Sequence, residues 1–115
     1  MNYSDIANTL AHDGIDVALP GARQGVCSAP YVVVQDAGTF RYAASAGLCY
    51  TLFAVHCYVP LYAYGQLDPL IARVRASLAS LAPDLRSAGS LSPHLINDHF
   101  RAHQATVHYL LQRKL

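Results

Sequence analysis

Two of the three cysteines, Cys49 and Cys57, stand eight residues apart in the stretch LCYTLFAVHCYVP, with His56 beside the second. Thiols and imidazoles are zinc ligands and partners in thiol redox chemistry, so this stretch is the first place to look for a metal site or a disulfide. Its composition decides the matter. From Cys49 to Val59 it is rich in aromatic and β-branched residues, holds no Gly or Pro, and stops at Pro60, which predicts a strand. In a strand Cys49, Thr51, Phe53, Val55 and Cys57 share one face, and Tyr50, Leu52, Ala54, His56 and Tyr58 share the other. His56 therefore points away from Cys57. At about 3.3 Å per residue the two thiols lie roughly 26 Å apart, beyond a disulfide or a shared tetrahedral ion. Cys27 could approach one of them, but three cysteines with no C-x-x-C spacing read as small buried hydrophobes.

The second constellation is Asp98, His99 and His103. Histidines four apart meet on one face of a helix and could hold a metal there. The residues that follow alternate in type (His103, Ala105, Val107, Tyr109 and Leu111 against Gln104, Thr106, His108, Leu110 and Gln112), which favours a strand. A strand would set the two imidazoles about 13 Å apart. No metal or other cofactor is expected.

The remaining chemistry is sparse. The sequence has no nucleophile elbow, phosphate loop, dinucleotide turn or H-E-x-x-H helix. Its seven acids are scattered singly, several where a cap or turn would use them. The arginines are spread evenly and read as solvated or interface-rim residues. Arg41 could instead pair with a carboxylate of a neighbouring subunit. An enzyme is not expected. Tyr50, His56 and Tyr58 combine contact area with polar tips, which suits either an interface with another protein or an ordinary half-exposed sheet face.

These residues need elements to position them. Ser4 as N-cap, Ile6 and Leu10 on one face and Gly14 as a stop predict a first helix. Ile15 to Leu19 predicts a short strand, Gly21 to Ser28 a loop, and Tyr31 to Gln35 a strand. Gly38 to Leu48 is too long for a tight hairpin and predicts a projecting arm, with paired outer segments around Phe40 and Tyr42. Asp68 as N-cap with Pro69 after it, and Leu67, Leu70, Ile71, Val74, Leu78 and Leu81 at threes and fours, predict a second helix, with Ser77 off its apolar line. The stretch DLRSAGSLSPHL predicts a turn-rich connection. The chain then ends in a strand, or near its end in a short helix. The order predicts a single α+β domain over residues 1–115, an antiparallel or mixed sheet packed against two helices with a protruding β-hairpin arm.

Composition bounds the function. With 115 residues there is room for one core. Hydrophobic residues are 53% and charged ones 13%, so apolar surface should remain for subunit contacts. A net charge of +1 without basic runs lacks the footprint of a dedicated nucleic-acid binder. The first residues carry no signal-peptide pattern and polar residues interrupt each hydrophobic run, so a soluble, cytoplasmic protein is expected, with no membrane contact.

The succession of APYVVVQDAG into an arm, LCYTLFAVHCYVP, LDPLIARVRASLASL and a terminal strand around HQATVHYLLQ resembles the tail-terminator or tail-completion proteins of long-tailed bacteriophages and prophages, from about Asp5 to Gln112. The resemblance implies a structural virion protein, present in the host cytoplasm during assembly and then in the tail or neck. It implies a homo-oligomer, a hexameric ring, that caps the tail tube protein, ends its polymerisation and offers a joining surface to the head-tail connector, with DNA only passing through the lumen. Phe40, Arg41, Tyr42, Tyr50, His56 and Tyr58 are then the subunit or tail-tube interface residues. A head-completion or neck protein of the same module shares this size and element order. The competing class is a small metal- or ligand-binding α+β enzyme using Asp98, His99 and His103.

Overall fold

The structure, a computed structural model, describes residues 2–21, 25–41, 48–82, 84–91, 94–98 and 100–114, with backbone alone at 41, 48, 89–91, 113 and 114. Helix α1 spans Tyr3–His12. Its cap is Asn2 in place of Ser4: the Asp5 amide donates to Asn2 Oδ1 at 3.2 Å and the Asn2 amide donates to Asp5 Oδ2 at 2.7 Å. This reciprocal box satisfies two amides at once, a gain of about 1 kcal/mol that Ser4, inside the first turn, cannot match. At the other end Gly14, at φ 83°, lets its own amide reach Ala11 O and the Ile15 amide reach Leu10 O. These are the two bonds of a Schellman motif, sealed by Ile15 and Leu10 in the core.

A mixed sheet of six strands carries the domain. In chain order these are β1 (Val17–Ala18), β2 (Tyr31–Arg41), β3 (Leu48–Pro60), β4 (Leu85–Leu91), β5 (Leu95–Asn97) and β6 (Ala102–Lys114). Across the sheet they lie β1-β2-β3-β6-β4, with β5 on the same side of β6 as β4. Only β1 against β2 is parallel; the other pairs are antiparallel. Helix α2 (Leu67–Leu78) follows a 3-10 turn, Leu61–Gln66. The two helices cover one face, where Ile6, Leu10, Leu70 and Val74 meet Val34, Phe53, Val55 and Val107.

Strand β3 alternates as its composition dictates. Thr51, Phe53, Val55 and Cys57 are buried against the helices, with Phe53 only 1% exposed, while Tyr50, Leu52 and His56 are half-buried on the opposite face. At thirteen residues each, β3 and β6 are each about 43 Å long, so they account for the long dimension of the 48 × 26 × 24 Å molecule.

Three local expectations change. Helix α2 begins at Leu67, with Gln66 as cap, so Asp68 lies in its first turn and does not cap it. Ser77, expected off the apolar line, is buried: its hydroxyl donates to Asp13 Oδ2 at 2.5 Å and reaches Thr9 O at 3.4 Å, tying α2 to the end of α1. Arg73 adds a bond to Gly14 O at 3.2 Å, a cation at a helix C-terminus. The stretch expected to be turn-rich, residues 84–95, holds β4 instead, and its last residue, Leu95, opens β5. Pairing with β6 and the burial of Leu85 override its Ser and Gly content. From Ala102 to Lys114 the described residues are strand throughout, without the short helix left open near the end.

The expected arm is the β2–β3 hairpin. Beyond a bulge between Asp36 and Thr39, β2 resumes pairing through Thr39–Thr51, Phe40–Tyr50 and Arg41–Cys49. Gly38, at φ 119°, makes the bulge possible, and its amide donates to Asp36 Oδ1 at 2.8 Å. Strand β6 pairs alongside β3 as far as Leu48, so the base of the arm is three strands wide. The helix-side core reaches the level of Leu111, opposite Thr51; the arm continues past it.

Candidate interaction surface

The sheet face opposite the helices carries four of the predicted interface residues, Phe40, Tyr50, His56 and Tyr58, and two small systems organise it. In the first, Tyr31 and Tyr58 are direct cross-strand partners, stacked with centroids 5.1 Å apart, and Phe100 meets Tyr58 edge-on at 5.9 Å. With Ala18, Cys27 and Ala102 they form a second apolar cluster. Tyr58 is consequently only 8% exposed; its ring contacts are made within its own chain. Burial raises its phenol pKa, with Cys57 adding in the same direction.

In the second system His56 bridges three strands. Its Nε2–H donates to Gln35 Oε1 on β2, and its Nδ1 accepts from the Thr106 hydroxyl on β6, both at 2.8 Å. The carbonyl oxygen of Gln35 only accepts, so the proton sits on Nε2. Burial, and then the nearby His108, lower the His56 pKa from its ordinary value. His108 Nδ1 itself is buried with no partner among the described residues. Gln35, His56, Tyr31, Tyr58 and Phe100 line a shallow pocket of about 190 Å³, too small for most organic ligands.

Further along the same face, at the arm, Phe40 stacks on Tyr50 at 5.5 Å. Phe40 remains 45% exposed. Arg41 pairs with Cys49 through the backbone, and Tyr42 lies outside the described residues. The structure thus brings Phe40 to Tyr50 and His56 to Tyr58, the latter pair with ring centroids 6.5 Å apart.

The cysteines are free and buried. Burial pushes the Cys57 thiol up to about 12, against a smaller opposing pull from Arg75, so it is protonated and unreactive at neutral pH. His103 is engaged on both nitrogens: Nε2–H donates to Leu61 O at 3.1 Å, and Nδ1 accepts from His94 Nε2–H at 2.7 Å. Tyr64 packs on both rings, 5.0 Å from His94 and 4.8 Å from His103. His99 lies outside the described residues, Asp98 is exposed, and no group of three or more His, Cys, Asp or Glu is placed to hold a metal among the described residues.

Sequence reasoning missed His94, Gln35 and Thr106. His94 sits in a stretch read as connection, and its contact to His103 depends on the β5–β6 pairing. Thr106 would follow from the alternation of β6 once its register against His56 were known. No described helix is long and apolar enough to cross a membrane. No protein-family model matches the chain, and no curated protein matches it.

Proposed function

We propose that this chain is a structural virion protein of the tail-terminator type, a ring of identical copies that caps the tail tube and receives the head connector. The observation that carries the reading is a pair of exposed apolar surfaces at opposite ends of β3. At the arm end Phe40 is 45% exposed, stacked on the half-buried Tyr50. At the other end Leu61, Tyr62, Tyr64, Leu95 and Ile96 are exposed, Tyr62 to 84%. Tyr50 and Pro60 are ten residues apart on β3, or about 33 Å. A terminator has two different partners in line, tube and connector, and needs two distinct adhesive ends separated by one subunit height. Exposed aromatics, Phe40 on β2 and Tyr62 and Tyr64 in the 3-10 turn, suit such contacts because they bury much area at little cost in side-chain entropy.

A terminator must also stop growth, which requires that its two ends differ. The arm end is a hairpin with an aromatic stack, and the other end is a 3-10 turn beside β5 with a histidine pair. The near-neutral charge of the chain accords with a lumen that DNA crosses without being held. A neck protein of the same module would use the same chemistry at both ends.

The test is binding to tubes assembled from a phage tail tube protein of the same source as this chain. Gold-labelled protein is expected at one tip of each tube, and tubes formed in its presence should be shorter. Labelling along the tube walls, or none at all, would contradict the reading.

A further inference from the structure

We infer that copies of this chain join head to tail through the two unpaired edges of the sheet, β2 of one copy beside β4 of the next. The inference rests on the ring reading above and adds which surfaces meet.

Strand β1 covers β2 only at Val32 and Val33. From Val34 to Arg41 that side of β2 pairs with no other described strand, and neither does the far side of β4. Unpaired edges of this length are templates for another strand. The two edges also stand at the same height. Register across the sheet puts Val34, Val55, Val107 and Leu91 in one rank, and Thr39, Thr51, Leu111 and Leu85 in another. Between them lies the rank of Asp36, Phe53, Tyr109 and Ser87. Three antiparallel steps separate β2 from β4, so they run in opposite directions. A neighbour related by rotation about an axis along the strands sets its β4 antiparallel to β2, with both helix layers on the same side. Such a contact is heterologous and closes when the rotation closes. It also makes the two apolar ends of β3 the two faces of the ring.

Charge identifies the partner as a second copy. Asp36 is exposed on β2 and, opposite Phe53, belongs to the helix-side set. In the same rank at the other edge, between α2 and β4, a groove of about 620 Å³ is lined by Arg75, Ser87, Tyr109, Leu78 and Leu85; Arg86, opposite Leu110, belongs to the other face of the sheet. No acid among the described residues pairs with Arg75. The helix-side carboxylate presented at one edge thus meets the Arg75 guanidinium at the other. A bulge interrupts each edge, between Asp36 and Thr39 on β2 and between Ser87 and Leu91 on β4, so the ladder between copies is confined to the residues on either side.

The test is sedimentation velocity on Asp36→Arg and on Arg75→Glu, at a concentration where the wild type assembles. These side chains are exposed, but Asp36 also accepts from the Gly38 amide, so circular dichroism and the melting temperature of each variant accompany the sedimentation, and recovery in the mixture separates lost pairing from a damaged bulge. Each variant alone is expected to sediment as monomer, with assembly weakened at least about tenfold, the scale of losing a charge-assisted contact. An equimolar mixture should recover the wild-type species, because each reversed edge then faces its complement. Variants that assemble like the wild type, or a mixture that stays monomeric, would overturn this pairing and leave the ring reading standing. A wild type that never assembles would overturn both.

Discussion

The Nε2–H of His56 donates to Gln35 Oε1 at 2.8 Å while Thr106 occupies the other ring nitrogen, so one neutral imidazole links β2, β3 and β6 at the middle of the sheet. Adding a proton turns the accepting nitrogen into a donor and charges a ring held in a partly buried site. The His56 pKa is lowered in the folded state, so the unfolded chain binds this proton more readily. The resulting stability is fully present above the unfolded value of 6.5 and is lost as pH falls through the lower folded value. Melting temperatures of wild type and His56→Gln measured from pH 8 to pH 5 should therefore converge as the solution becomes acidic. Parallel profiles would show that His56 does not titrate in this way.

Gly38→Ala should weaken the arm. Its φ of 119° is a conformation that side chains rarely adopt, and an added Cβ would sit 3.4 Å from the Phe40 ring. A loss of about 1–3 kcal/mol is expected from chemical denaturation. Faster amide exchange confined to Thr39–Arg41 and Leu48–Thr51 would place the effect in the arm.

Ser77→Ala should loosen the two helices from each other. It removes the hydroxyl from Asp13 and Thr9 O, and the expected cost is about 1 kcal/mol for a part-buried bond to a carboxylate. Ser77→Thr keeps the hydroxyl and should recover part of the loss. An unchanged melting temperature in Ser77→Ala would show that the link contributes nothing.

The thiols should resist modification. With Cys57 pushed up to about 12 and all three cysteines buried, a thiol reagent at pH 8 should react only as fast as the protein opens. Labelling should accelerate in denaturant to three thiols per chain. Rapid reaction of the native protein would contradict this burial.

The elements that sequence exposes are those in which one periodicity dominates. The β-branched and aromatic alternation of Cys49–Val59 and the threes-and-fours of Leu67–Leu78 specify a strand and a helix without help from tertiary structure, and both are present. Strand β4 was illegible because Ser87, Ala88, Gly89 and Ser90 have little strand preference of their own; β6 supplies the pairing that holds them extended. Cap positions were legible to within a residue or two, since Asn2 and Ser4 are both good caps and only the reciprocal bond with Asp5 separates them. At the candidate surface, alternation placed Tyr50, His56 and Tyr58 on one face. It did not reveal that Tyr31 and Phe100 enclose Tyr58, because that depends on register and on a residue from the β5–β6 turn.

Self-assembly is the property on which the whole account turns, and native mass measurement over a wide concentration series reads it directly. The account predicts a closed oligomer of fixed subunit number growing at the expense of monomer, seen as rings in negative-stain images. A particle that stays monomeric at every concentration, or that grows without limit into filaments, would contradict it.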